Sequence, residues 1–520
     1  MELEKRSIHM NRQKCRSVLQ VTIDNDINVP DVKPDIGKII REQGEIRLQE
    51  SKVANGRVLL KGEMLFHILY VDAENEYKVS HMEGAIDINE VVNLGDSCSG
   101  DSIWVQGELE DITASIINSR KISVKAIVKL AVSAEEIIDE EAVVGVTDAG
   151  DAERLMENGT VTELALCKKD IYRIKEDITI PPGRDSVEDI MFFDMILQNV
   201  ETRMMGNKFG VRGDIRMFVF YRGLENDRVN SYETSVPFSG EIDCVGCDEN
   251  MIAQVDIRIQ ERNLEVKADE DGEDRILELE AVLGLDMRVY NETDIQLLAD
   301  IYSTSTEIIP EYKDTFFNNL ILKNNSKAKI QERMALGADY PAILQLCNAG
   351  AYVRIDEETV VPGGIETEGV IEISVLYFTD DDGNAIGSYK NVIPFNHFIE
   401  VKNITADCVY EINPSVDQIN VTVTDEREIE VKAVIALDTI VFNVSKKKKI
   451  TGCQVSERNA DEINKIPGMT GYIVRKDDTL WSIAKNFLTT TQSIIDMNDL
   501  ENDEIYTGQK LLLVKHIPEV

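Results

Sequence analysis

The stretch that decides the fold at one end of this chain is Gly471-Tyr472-Ile473-Val474-Arg475-Lys476-Asp477-Asp478-Thr479-Leu480-Trp481-Ser482-Ile483-Ala484. Its opening residues favour a β-strand, and a polar turn follows them. Thr479 stands where an N-cap residue would start a helix with one apolar face. The stretch therefore predicts a strand that leads through a short loop into an amphipathic helix.

The residues that follow predict the second half of the same small module. Ser493 is a candidate cap for a second helix, whose inward side chains would be Ile494, Ile495 and Met497. Gly508 permits the turn into a closing strand, 511–514. The order of elements is strand, helix, helix, strand.

This module resembles a LysM domain, a family best known for binding glycans that contain N-acetylglucosamine. The resemblance implies a shallow ligand groove between the loops 475–479 and 498–506. Trp481 is interpreted as a core residue first and a contact second. The residues that the resemblance implies for partner or glycan binding are Arg475, Asp477, Asp478, Thr479, Leu480, Trp481, Asn498, Asp499, Leu500 and Ile505.

The charges of the two loops favour a protein ligand over a sugar. Where the family usually has Gly-Asp-Thr, this chain has Asp477-Asp478-Thr479, and the loop 499–504 is strongly acidic. A neutral glycan gains little from a negative rim, whereas a basic protein surface gains steering and specificity. Peptidoglycan remains the alternative ligand.

Before residue 446 the sequence repeats itself three times. Each copy has a turn-former, then a Gly followed eight residues later by Tyr, then an Arg before an alternating strand. The turn-formers are Pro30, Pro181 and Gly337; the Gly–Tyr pairs are Gly62 and Tyr70, Gly213 and Tyr221, and Gly369 and Tyr377; the arginines are Arg120, Arg275 and Arg427. Apolar and charged residues alternate with period two in 427–435, which is typical of a half-buried strand.

The predicted fold class is a mainly β multidomain protein: three antiparallel sheets or sandwiches, each with a short helix near its start, plus the small terminal module. Those helices are expected around Ile39, Ile190 and Leu346. Segments 136–165 and 293–320 have helical patterning and are interpreted as connectors or as helices docked onto neighbouring sheets. The predicted domains are 20–135, 171–290 and 327–445, then a flexible linker at 446–469 and the LysM module at 470–516.

The repeats resemble the SPOCS domain of spore-coat and cell-surface proteins in Firmicutes. With a terminal LysM module they are similar to the SipL-type family, whose members help to assemble the envelope around the endospore. That resemblance implies that the LysM module binds the morphogenetic ATPase on the forespore surface. It also implies other coat proteins as partners, and residence in the mother-cell cytoplasm with recruitment to the forespore surface.

Composition excludes several classes of partner. The chain has 55 basic and 95 acidic residues, a net charge of −40, which argues against nucleic acid and anionic lipid. Residues 1–14 lack the apolar core of a signal peptide, and no stretch approaches a membrane span. We therefore expect neither export nor a transmembrane segment.

The sequence favours a protein that is not an enzyme and holds no cofactor or metal. Its five histidines form no helical metal-binding pair, and His67 is interpreted as a strand-face side chain. Cys244 and Cys247 form a single CxxC motif, whose role the sequence leaves open. The eight cysteines are scattered and expected to be reduced. The partners of the repeats, the oligomeric state and the arrangement of the domains are also left open.

Overall fold

The computed structural model describes residues 1–54, 56–75, 78–95, 101–148, 150–225, 229–380, 385–459 and 466–516. Within these ranges the chain is mainly β, and both α-helices lie after residue 479. The three sequence repeats each form six strands. The mainly antiparallel β architecture with a helical terminal module is therefore confirmed.

The strands of the three copies follow one plan. Copy 1 has β1 (Glu2–Asn28), β2 (Ile36–Ala54), β3 (Arg57–Asp72), β4 (Val79–Asn93), β5 (Ser102–Asn118) and β6 (Lys121–Thr147). Copy 2 has β7 (Ala152–Thr179), β8 (Val187–Met204), β9 (Lys208–Gly223), β10 (Val229–Asp243), β11 (Ile252–Ala268) and β12 (Asp274–Ser303). Copy 3 has β13 (Thr306–Ala335), β14 (Ile343–Val361), β15 (Gly364–Thr379), β16 (Ile386–Glu400), β17 (Val409–Asp425) and β18 (Glu428–Glu457).

Each copy is a sandwich of two three-stranded antiparallel sheets. In copy 1 the sheet orders are β1-β6-β5 and β2-β3-β4, and the other copies repeat them. The first and last strands pair along their whole length, from Glu2 opposite Thr147 to Asn28 opposite Lys121. One apolar core joins both sheets of each copy.

The residues that mark the repeats in the sequence lie at defined points of this sandwich. Tyr70, Tyr221 and Tyr377 are fully buried in the middle strands. Each hydroxyl donates to a backbone carbonyl near the turn before β2, β8 or β14; for Tyr70 the acceptor is Pro34 O at 3.0 Å. A Cβ on Gly62 would lie 2.5 Å from the carbonyl oxygen of Arg47, so only glycine fits there.

The prediction of a short helix near the start of each copy is wrong, because Ile39, Ile190 and Leu346 lie in β2, β8 and β14. Each of these strands has three β-bulges, two of them near its start; in β2 those two lie between Ile36 and Lys38 and between Ile39 and Arg41. A bulge adds one residue and breaks the two-residue alternation. The apolar residues therefore recur every three positions, a spacing that resembles a helix.

The predicted helical connectors are also strands. Residues 136–165 and 293–320 form the ends of β6, β7, β12 and β13, so these strands run beyond the predicted domain boundaries. A bulge between Leu298 and Asp300 again imitates a helical pattern. Residues 446–457 continue β18 instead of forming a linker, and 460–465 lie outside the described residues.

The three copies pack against one another at equivalent positions. Leu69, Phe220 and Leu376 occupy the same place in β3, β9 and β15 and share one buried cluster. A second cluster joins the long strands through Met10, Val161 and Phe317, which occupy the same place in β1, β7 and β13. The copies are thus arranged with approximate three-fold symmetry.

The lysine run at the end of copy 3 is part of these contacts. Lys446 pairs with Asp314 on the neighbouring strand at 2.8 Å. Lys447 pairs with Glu157 of copy 2, and Lys449 with Glu140 of copy 1. The run therefore connects all three copies.

Cys244 and Cys247 are buried and form a disulfide across the turn after β10, which corrects the expectation that all eight cysteines are reduced. Among the described residues, no helix is long and apolar enough to cross a bilayer.

Candidate functional site

The terminal module has the predicted order of elements: β19 (Met469–Ile473), α1 (Leu480–Phe487), α2 (Thr491–Met497) and β20 (Lys510–Val514). Thr479 caps α1 as predicted, because its Oγ1 accepts from the backbone N–H of Ser482 at 3.0 Å. Gly508 has a φ of 90° and makes the turn into β20. The prediction that Ser493 caps α2 is wrong: Thr490 is the cap and accepts from the N–H of Ser493.

In the first loop, Asp478 organises the backbone. Its Oδ2 accepts from the Tyr472 hydroxyl at 2.7 Å and from the N–H of Arg475 at 2.8 Å. These bonds, the backbone one first, lower the pKa of Asp478. Asp477 is exposed with a φ of 69°, a conformation that favours glycine, and Arg475 is exposed above the Tyr472 ring. Arg475, Lys476 and Asp477 are thus exposed side chains that this loop offers to a ligand.

In the second loop, Asn498 joins α2 to β20. Its Nδ2 donates to the carbonyls of Ile494 at 2.8 Å and Leu512 at 2.9 Å, and its Oδ1 accepts from the N–H of Leu512 at 2.7 Å. Leu500 and Ile505 pack against the core of the module. Asp499 is exposed with a φ of 51°, so it faces solvent beside the acidic residues 501–504.

We expect Asn498→Ala to lower the free energy that holds β20 in place by about 2 kcal/mol, because the three hydrogen bonds that tie α2 to β20 disappear and each contributes roughly 0.5–1 kcal/mol. Hydrogen exchange of the amides in 510–514 measures this opening. Asn502→Ala is the control, since Asn502 caps only the exposed N–H of Glu504. Equal protection in wild type and Asn498→Ala would contradict the assigned role.

Leu480 and Trp481 are not available to a ligand in the way that the resemblance implies. Leu480 is buried in the module core. Trp481 points to repeat 2, where its Nε1 donates to Asp300 Oδ2 at 2.8 Å and its ring meets the edge of Tyr302. Lys485 pairs with the same carboxylate at 2.7 Å. The interpretation of Trp481 as core before contact agrees with this placement.

Sequence reasoning missed Asp300, Tyr302 and Lys485. Asp300 and Trp481 lie 181 positions apart, and no local pattern joins them. The only available signal was that Asp300 and Tyr302 occur in repeat 2 without counterparts in the other repeats.

An exposed apolar surface that the sequence analysis did not name lies on the far side of the module. Strand alternation directs Tyr472, Leu511 and Leu513 toward the helices. The opposite face, here called the outer strip, presents Met469, Ile473 and Leu512, which are 61%, 58% and 38% exposed. The outer strip, the acidic loop 499–504 and the exposed side chains of the first loop are the surfaces that the docked module presents to solvent.

His67 is a strand-face residue of β3, as expected, and its ring stacks on His81 and meets the edge of Phe192. Across the ranges described above, no three His, Cys, Asp or Glu side chains are grouped so that they could hold a metal ion.

Comparisons with known proteins identify the four parts of the chain. The family described as "SipL, SPOCS domain" matches residues 35–117, 186–267 and 342–424, which span β2–β5, β8–β11 and β14–β17. The LysM domain family matches residues 472–514. Both are binding domains without catalytic function.

One curated relative and the solved structures complete the comparison. The uncharacterized protein YkzQ of Bacillus subtilis (strain 168) is 47% identical over 38 residues, which are 7% of this chain and 51% of that protein. The chain therefore spans about half the length of this relative. No solved structure matches this chain significantly.

Proposed function

Because this chain has the SipL-type architecture, three SPOCS domains followed by a C-terminal LysM domain, we propose that it is a non-enzymatic adaptor of endospore envelope assembly. Its LysM module would bind the morphogenetic ATPase on the forespore surface, and its repeats would dock other coat proteins. It would act in the mother-cell cytoplasm and be recruited from there to the forespore surface. The proposed domains are the three sandwiches, β1–β6, β7–β12 and β13–β18, and the LysM module that follows them.

The outer strip is the observation that carries this proposal. Apolar side chains as exposed as Met469 and Ile473, next to an acidic loop, are typical of a site for another protein. A basic partner surface with an apolar centre would complement both features, and the chain's charge of −40 favours its approach. A neutral glycan would use neither the charge nor the aliphatic strip.

Peptidoglycan binding remains the second candidate function. Tyr506 in the second loop is 71% exposed and offers an aromatic face on which a sugar could stack. The match to the LysM family supports this alternative as well. Aromatic stacking would depend little on salt, so the two candidates are separable by experiment.

We expect Ile473→Asp in the full chain to weaken binding of the ATPase at least tenfold, since a charge placed in an apolar interface centre costs at least the roughly 2 kcal/mol of a hot-spot residue and about 1.4 kcal/mol is tenfold. Biolayer interferometry with the immobilised ATPase measures the affinity. Val455→Asp is the matched control, because Val455 is equally exposed but lies on β18.

Unchanged affinity in the Ile473→Asp variant would reject the outer strip as the binding surface. Asp478 is unsuitable for a charge-reversal test, because it holds the first loop together. Asp477 and Asp499 are exposed and serve that purpose instead.

A further inference from the structure

The end of β12 in repeat 2 holds the LysM module through one carboxylate. Asp300 accepts hydrogen bonds from Trp481 Nε1 at 2.8 Å, from Lys485 Nζ at 2.7 Å to each oxygen, and from the Tyr312 hydroxyl at 2.8 Å. Burial raises the pKa of Asp300, but the bonds from Lys485, Trp481 and Tyr312 outweigh it and leave the pKa lowered. Asp300 of copy 2 is thus an ionised acceptor that binds Trp481 and Lys485 of the module and Tyr312 of β13 in copy 3.

Tyr302, two residues further along β12, completes the module's apolar core. It is almost fully buried among Val474, Leu480 and other core residues of the module. Its ring meets Trp481 edge-on with the centroids 4.8 Å apart, and its hydroxyl donates to the carbonyl of Thr489 at 2.8 Å. Repeat 2 therefore contributes the Tyr302 ring to the apolar core of the LysM module.

The three repeats provide an internal comparison for this site. Near the end of its last strand each copy has a β-bulge, and the residue after the bulge is Gly145, Asp300 or Gly452. Two positions later the residues are Thr147, Tyr302 and Gln454. The backbone is thus alike in all three copies, but the carboxylate and the aromatic ring occur only in repeat 2.

The LysM module packs against a repeat that is not its neighbour in the sequence. Repeat 3 directly precedes the module in sequence, yet the module docks on repeat 2. Arg458, just after β18, donates to the carbonyl of Ser303 at 2.7 Å and brings the chain to the same strand end. Side-chain chemistry, rather than proximity in sequence, therefore selects the docking place.

We propose that the end of β12 is a docking site dedicated to the LysM module, with Asp300 and Tyr302 as its specificity-determining residues. Docking closes the Trp481 face of α1 and leaves the outer strip exposed in one fixed direction. A fixed orientation reduces the rotational freedom lost on binding, so the docked state is the one that binds the partner best. This last step rests on the proposed function, whereas the docking site itself does not.

Fluorescence of Trp481 tests the docking site in the full-length protein. The chain has two tryptophans, so Trp104→Phe leaves Trp481 as the single reporter. In that background, Asp300→Gly installs the residue of repeats 1 and 3, and Tyr302→Thr installs the residue of repeat 1. We expect either change to shift the docked-to-undocked ratio about tenfold or more and to raise acrylamide quenching of Trp481.

The matched control is Asp294→Gly, since Asp294 lies on the same strand and its carboxylate accepts from the hydroxyl of Thr160 at 3.0 Å, away from the module. Its quenching should equal that of the parent. Circular dichroism and the unfolding transition of the repeats show that each variant is folded. Unchanged quenching in both Asp300→Gly and Tyr302→Thr would overturn the proposal.

Affinity for the ATPase then separates docking from the proposed function. Weaker binding by an undocked Asp300→Gly variant supports the orienting role. Undiminished binding by that variant overturns the orienting role and leaves the proposed function standing. A parent protein that does not bind the ATPase overturns the proposed function and the orienting role, while the quenching result still decides the docking site.

Discussion

Acidification from neutral pH to about pH 3 is expected to cost the repeats on the order of 4 kcal/mol through one side chain, His67. Burial, and then the positive charges of His81, Arg41 and Lys33, lower the pKa of His67 from its ordinary value of 6.5 to about 3. The His67 ring stacks on His81 with the centroids 5.6 Å apart and meets the edge of Phe192 at 5.3 Å. A proton placed there would be buried among cations.

The sign follows from the lowered pKa. Below pH 6.5 the imidazole of the unfolded chain takes up a proton, whereas the folded protein keeps His67 neutral until about pH 3. The unfolded state therefore binds more protons in this window, and stability falls as the pH falls through it. Burial, and then the charge of Lys33, also lower the pKa of the His81 ring, so protonation of His81 adds to the loss in the same direction.

His67→Phe removes this loss and tests it. Repeat 2 carries Phe218 at the equivalent position, so the strand accepts a phenyl ring there. Urea unfolding of wild type and variant between pH 3 and pH 7 should show a flatter acid limb for His67→Phe. His9→Gln, at an exposed site on β1, is the control and should retain the wild-type slope. Parallel pH profiles for wild type and His67→Phe would contradict the assignment.

The second large effect is expected at the tyrosines that mark the repeats. Tyr70→Ala should lower the free energy of unfolding of repeat 1 by about 4 kcal/mol, because a fully buried ring leaves a cavity. Tyr70→Phe should cost only about 1 kcal/mol, the value of the bond to Pro34 O. Equilibrium urea denaturation measures both changes.

Tyr506→Ala is the control for the tyrosine series, since that ring is exposed and its loss should leave stability nearly unchanged. An equal cost for Tyr70→Ala and Tyr506→Ala would show that the buried ring does not hold the two sheets together. Equal costs for Tyr70→Ala and Tyr70→Phe would instead assign the whole effect to the hydroxyl.

The β repeats could be predicted because their alternation is local. Each copy has an equivalent of Gly62, Tyr70 and Arg120. In segments such as 427–435, apolar and charged residues alternate with the two-residue period of a strand. The helices expected near Ile39 and in 293–320 were wrong for one physical reason. β-Bulges change the spacing of apolar residues, and the sequence does not show where a strand skips a residue.

The site could be predicted in position but only partly in role. The two loops are where the LysM resemblance implies, yet Asp478, Leu480 and Asn498 hold the module together rather than face a ligand. A cap such as Thr479 is a local feature and was predictable. The contact of Trp481 with Asp300 joins distant strands and depends on how the three repeats pack, which no local pattern encodes.

Binding of the full-length protein to two ligands, compared at low and high salt, tests the central claim most directly. The ligands are the purified forespore ATPase and purified peptidoglycan. The account predicts binding to the ATPase that weakens with salt and with Ile473→Asp, and no cosedimentation with peptidoglycan. Salt-insensitive binding to peptidoglycan without binding to the ATPase would contradict it and make this a wall-glycan-binding protein.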